Sequence, residues 1–451
     1  MRRTSFTLTL STLFACGDAA PGRGDGGDEG GEAGLATLTA GTGDTADEAS
    51  GGGSSGQGSS ANTTTPADTG NTANDDDDDN GTLFDLGVPD GGTSCGGGKG
   101  GGGDGFLSYI WIANSAEGTM TKLNTETMIE EARYIVRADA AGSPSRTSVN
   151  LNGDVAIANR SGGVTKVFAN QANCVEGNGM PGIQTSTGPA DVLPWGTDEC
   201  VAWHNPLVCS SNRPMAWTKG EFSEGSCTWE GAKLWTECWN PGNGVAQVLL
   251  LNGDNGVVEQ TVPIPGVNTL VYGGAVDGDG NFWGNQNGSA LLRVDRDDFT
   301  VQTWPTPPAG PSYGIAIDLE GRPWLCGGGG AARFDQVTGT YQTVAGPGAA
   351  IGGCMVDSDG ILWHSRYPDG VLVGIDTETV TIVSELAIPA YVHGVSIDFA
   401  GNVWGVTFGG SEAYRVDPAS GQVDTYAGLF GAYTYSDMTG FALSSAGSPS
   451  G

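Results

Sequence analysis

Groups able to move a proton near neutral pH are few in this chain, and they stand far apart. Its three histidines are His204, His364 and His393, and imidazole is the side chain whose ordinary pKa falls in that range. No Cys-x-x-Cys or His-x-x-x-His pair gathers ligands at a zinc-like spacing, so no metal site and no cofactor are expected. No Gly-x-Ser-x-Gly elbow stands at a strand-to-helix turn, and the glycine run at 96–103 reads as low-complexity sequence, not as a phosphate loop. What recurs is polar and aromatic. Tyr272, Tyr313 and His393 each stand five residues before an aspartate, with Gly352 at the equivalent place in a further copy. A second set lies three residues after a tryptophan or its substitute: Asn114, Asn159 (after Ala156), Cys238, Gln286, Gly327, Arg366 and Thr407. Amides, phenols, a guanidinium and an imidazole suit a polar ligand or partner and offer no obvious nucleophile. The plainer alternative is that they satisfy strand ends and channel water.

The elements that must position these residues form a repeat. Between Thr269 and Gly428 the segments LVYGGAVDGDGNFWG, SYGIAIDLEGRPWLC, IGGCMVDSDGILWHS and VHGVSIDFAGNVWGV align on Asp277, Asp318, Asp357 and Asp398. The period is 41, 39 and 41 residues, and each Trp (283, 324, 363, 404) falls six residues after its Asp. Two further apolar strands follow each Trp, the first ending in Asp295, Asp335, Asp376 or Asp417. Four short strands in about 40 residues, without a helical stretch, is the period of a β-propeller blade. The Asp-x-x-Gly turn needs a residue at positive φ, which glycine supplies. The Trp offers a large flat surface to the neighbouring blade.

Extending the register backward finds weaker copies and brings the count to seven blades, near 107–144, 145–212, 213–265, 269–307, 310–347, 350–389 and 392–428. Tyr109–Asn114 reads as a second strand that lacks a first, while Ser436–Leu443 reads as a first strand alone. The C-terminal strand is therefore expected to complete the first blade and close the ring. Residues 170–212 break the period and read as a loop insertion. The fold class expected is all-β: a seven-bladed β-propeller over residues 106–445, followed by a disordered tail at 446–451.

The glycine-containing first strand, the Asp-x-x-Gly turn, the Trp and the Asp closing the third strand resemble the virginiamycin B lyase-like and NHL-type propellers over about 107–443. The resemblance implies the fold. It implies lyase chemistry only where His and Glu meet a divalent cation near the channel. This chain offers His393 and, less directly, His364, but none of the seven post-Trp residues is Glu. Glu237 lies one position away, where strand alternation turns it to the other face.

The first sixteen residues read as an export signal, with Arg2 and Arg3 before a short apolar run, and Leu13-Phe14-Ala15-Cys16 resembles a bacterial lipobox that would lipidate Cys16. Residues 17–105 hold seventeen Asp/Glu against Arg23 and Lys99 and almost no large apolar side chain, so they are expected to be a disordered acidic tether. The Asp75–Asp79 run reads as solvated charge. A net charge of −33 argues against nucleic acid or an anionic membrane surface as partner. An exported chain permits disulfides. Cys227 with Cys238, Cys326 with Cys354, and Cys174 with Cys200 are the pairings expected, with Cys95 and Cys209 left over.

The sequence thus points to an exported, lipid-anchored monomeric propeller of the cell envelope that binds an unidentified polar ligand or envelope protein. A lyase-like ester-opening enzyme is the alternative, and a purely structural envelope protein the third reading.

Overall fold

The six-residue interval between turn Asp and Trp has a hydrogen-bond cause. In four blades one carboxylate oxygen accepts the backbone N–H groups two and four residues further on, as Asp318 does from Glu320 and Arg322. The other oxygen accepts the indole N–H of the Trp, at 2.8 Å for Asp277–Trp283, 3.0 Å for Asp318–Trp324, 2.7 Å for Asp357–Trp363 and 2.8 Å for Asp398–Trp404. Each carboxylate thereby fixes the turn between the first two strands and the ring that packs against the next blade. All four Trp residues are buried.

The computed structural model describes residues 108–267, 270–286, 290–307, 312–349 and 352–449. The stretches read from sequence as signal segment and tether, with Cys16, Asp75–Asp79 and Cys95, lie outside them. Among the described residues, six antiparallel four-stranded sheets and one three-stranded sheet are the seven blades, and one extra two-stranded hairpin is added. The chain is a seven-bladed β-propeller. Inner strands begin at Pro144, Met215, Gly273, Ser312, Cys354 and Val392 and line a central channel. Side chains between the blades form most of the core.

Blade 1 has three strands of its own (Tyr109–Asn114, Thr119–Asn124, Glu130–Ile135). Its inner edge is completed from the C-terminal end, as expected, but not by a regular strand over 436–443. Contact begins earlier, with an Asn114–Ala432 bridge and bonds Tyr433 N–H to Ala113 O and Trp111 N–H to Met438 O. The chain then turns. Ser436 takes φ 140°, Gly440 takes φ 89°, and the Asp437 carboxylate accepts N–H groups of Thr439, Gly440 and Leu443. A short helix, Phe441–Ser445, follows where a strand is expected. Residues 446–449, read from sequence as a loose tail, are held too. Gly447 donates to Asp318 O and accepts from Gly278 N–H. This terminal segment closes the turn-side end of the channel.

The span 170–212 contains the outer strand of blade 2, Val201–Asn205, at its far end. The irregular part before it is stapled by Cys174–Cys200. Cys326–Cys354 joins the second strand of blade 5 to the inner strand of blade 6. The pairing of Cys227 with Cys238 is not what forms. Cys238 bonds to Cys209, because the Ser211–Trp239 bridge lays the two segments side by side. Cys227 sits at the tip of the hairpin Glu221–Ser223/Thr228–Glu230, in a disulfide of its own. That hairpin is inserted between the first and second strands of blade 3, so closeness in sequence does not bring Cys227 to Cys238.

Candidate functional site

Where the inner strands begin, one channel mouth is filled by aromatic rings. The inner strands of blades 5 and 7 are shifted in register between Ser312 and Gly314 and between Val392 and Gly394. Such a bulge re-aims the extra residue, here Tyr313 and His393. Tyr433 and Tyr435 come from the closing segment and Tyr272 from blade 4. The Tyr272, Tyr313 and Tyr433 hydroxyls form a triangle with sides of 3.0, 3.3 and 2.5 Å. His393 Nε2 lies 2.9 Å from the Tyr313 hydroxyl, and its Nδ1 lies 3.0 Å from the Tyr391 hydroxyl. Both ring nitrogens are thus engaged. Burial first, and the Arg146 charge second, push the His393 pKa down to about 3, so the ring is neutral at pH 7. Phe408 covers the plug from outside. It is 57% exposed and packs on His393 and Tyr433.

Three guanidinium groups lie among these rings. Arg146 is 1% exposed, with its Cζ 3.1 Å from the Tyr435 ring centre. Arg213 donates to the Tyr272 hydroxyl at 3.1 Å and sits over the same ring. Arg160 lies over Tyr433 and bonds Ser143. Among the described residues the carboxyl nearby is Glu237. It is wholly buried and accepts the Val271 N–H at 3.0 Å. Burial pushes its pKa well above the usual range, against the lowering effects of that N–H and of Arg213.

Glycines make the room. Four residues before the turn Asp stand Gly273, Gly314, Gly353 and Gly394. A Cβ on Gly394 would lie 2.3 Å from Thr434 O, and one on Gly353 would lie 3.1 Å from the Tyr435 Cβ. The same count from Asn150 in blade 2 falls on Arg146, the side chain that enters the space the glycines leave.

Of the residues singled out from sequence, Tyr272, Tyr313 and His393 come together here. The others do not join them. Asn114 is a structural amide, donating to Thr119 and Thr121 and accepting the Phe430 N–H. Asn159 donates to Val136 O and Gly163 O. Gln286 is buried at the end of its strand, its N–H bonded to Ala290 O. Arg366 pairs with Asp369 and Glu385 at the rim. Arg146, Arg213, Tyr433, Tyr435 and Phe408 are members that sequence reading misses. Arg213 occupies the position of Tyr272, but Thr218 stands where the marker Asp would be. Among the described residues no three His, Cys, Asp or Glu side chains are placed to hold a metal ion.

Deeper along the channel a cavity of ≈ 40 Å³ is lined by Ser148, Met215, Ala275, Ala316, Met355 and Asp437. That is room for about two or three waters, not for an organic ligand. Burial raises the Asp437 pKa to about 6.

No known protein family matches this chain, and no characterised protein matches it in sequence. Solved propeller structures do resemble it. Virginiamycin B lyase of Staphylococcus aureus is 14% identical with a TM-score of 0.44, over 65% of this chain and 89% of that one. The dihydro-heme d1 dehydrogenase NirN is 12% identical with a TM-score of 0.47, over 71% of this chain and 64% of that one. AztD of Citrobacter koseri is 12% identical with a TM-score of 0.47, over 72% of this chain and 96% of that one. Likeness at this level concerns architecture and not activity.

Proposed function

We propose that this chain is a binding module of the bacterial cell envelope, lipid-anchored through Cys16, whose ligand docks on the tyrosine-lined mouth of the propeller. One observation carries the reading: the groups that could act as base there are spent on each other. His393 has a partner on each nitrogen, and the Tyr hydroxyls bond in a triangle. What faces outward is Phe408 with Arg160 behind it, the aromatic and guanidinium chemistry favoured at recognition surfaces. The disulfides fit an oxidising compartment.

The test uses the full-length protein and a panel of small polar and aromatic compounds. A saturable rise in melting temperature is expected with at least one compound and should be weakened about tenfold by Phe408→Ser. If instead the wild type opened a cyclic ester and His393→Ala did not, the lyase-like alternative would replace this reading. Palmitate labelling that survives Cys16→Ser would remove the anchor from it.

A further inference from the structure

Among the described residues Arg146 is a buried cation without an anion. It lies among Tyr272, Tyr313 and Tyr435, with its Cζ 5.3, 6.0 and 3.1 Å from their ring centres. No Asp or Glu of the described residues pairs with it, although the chain as a whole carries a net charge of −33. Its Nη1 reaches Tyr435 O at 3.4 Å and the Ser436 hydroxyl at 3.2 Å. Its Nε and Nη2 have no hydrogen-bond partner. These two atoms form one edge of the guanidinium, and their parallel N–H groups match the two oxygens of a carboxylate. The buried hydroxyls of Ser145 and Tyr435 lack partners as well. Leaving a charged donor pair buried and unpaired is costly, and such a gap calls for an occupant.

We propose that the ligand of the mouth carries a carboxylate, which the Nε–Nη2 edge of Arg146 receives in a two-pronged bond once the Tyr313–Tyr433 hydroxyl pair parts. The inference rests on the binding-module reading and adds its ligand chemistry. The closed mouth buries that edge, so binding and opening are one event. Tyrosine rings on three sides favour a carboxylate attached to a flat or apolar body. A free aromatic acid and a peptide C-terminus share this chemistry.

The experiment measures the melting temperature of the full-length protein at constant ionic strength against benzoate, benzamide, and a blocked-N-terminus tripeptide in free-acid and amidated forms. Benzoate, the free-acid tripeptide or both should raise the melting temperature saturably, while the neutral partners should not. The acid that acts tells which source the site takes. Arg146→Met should abolish the shift while leaving the unliganded protein at least as stable, since an unpaired buried charge is gone. Arg146→Lys, which keeps the charge but loses the edge, should weaken binding at least tenfold. Equal shifts with benzamide and benzoate, or shifts undiminished in both variants, would overturn the carboxylate proposal and leave the binding module standing. No shift with any acid would also overturn it. A Phe408→Ser variant that binds as the wild type does would count against the mouth reading itself.

Discussion

His364 shows how burial sets protonation in this molecule. It lies wholly inside blade 6, with neither ring nitrogen hydrogen-bonded. Burial lowers its pKa from the ordinary 6.5 to about 4. His393, lowered to about 3, behaves alike. For both, the unfolded chain takes up the proton first. Their neutral forms therefore stabilise the fold above about pH 6.5, and that contribution fades as pH falls through their folded values. Asp437 works the other way, because its raised value favours the protonated form and penalises the fold above about pH 6. For His364 alone the contribution is a loss of stability as the pH falls from about 6.5 to about 4. Replacing His364 with Leu should flatten the loss between pH 6.5 and 4 by about 2 kcal/mol or more, read from urea midpoints across that range. An unchanged slope would mean that His364 protonates as freely in the fold as in the unfolded chain.

At the scale of the blade, the unit to break is the turn carboxylate. Asp318 accepts from two backbone N–H groups, the Trp324 indole and Arg322, and it is fully buried. Substituting Ala leaves those donors unpaired. The expected destabilisation is about 3 kcal/mol, and Asn should recover part of it, because Oδ1 can still accept. A loss below about 1 kcal/mol by chemical denaturation would show that water replaces the carboxylate. This unit is also why four blades are legible in sequence. Asp, Gly and Trp each do a backbone or packing task at a fixed interval, so the chemistry writes a spacing. Blade 3 hides its register, because Thr218 replaces the Asp and the hairpin at 221–230 separates first strand from second. Arg213 is lost with it. Arg146 is legible in principle as the exception in a column of glycines. Tyr433 and Tyr435 are not, since they belong to a segment outside any repeat and their place depends on how the ring closes. Cys227 misleads for a related reason: nearness in sequence is no guide across an inserted hairpin.

For the whole ring, the decisive seam lies between blades 7 and 1. Arg415 donates to Thr125 O at 2.6 Å and Glu126 O at 3.0 Å, and Arg133 donates to Gly428 O at 2.6 Å. Tyr426 bonds Glu130. The closing segment 432–438 supplies further contacts and two of the mouth tyrosines. Truncation after residue 431 should abolish cooperative unfolding or lower the melting temperature by about 10 °C or more, because it opens the edge of blade 1 and removes Tyr435 from beside Arg146. A truncated chain that melts like the wild type would assign closure to the contacts that blades 7 and 1 make with each other.

The disulfides give the assembly an order in time. In three of them, whose two partners both lie among the described residues, those partners are separated by 26, 29 and 28 residues. The hydrogen bond from Tyr433 to Ala113 that closes the ring spans almost the entire propeller. Short loops close readily and long ones late. As the polypeptide emerges into an oxidising compartment, each of these three covalent stitches can form within about one blade's length of chain, before the seam has both its sides. The earlier blades are then locally locked while the first still presents a bare edge. That edge is the surface a folding factor would have to shield until residues 432–438 arrive.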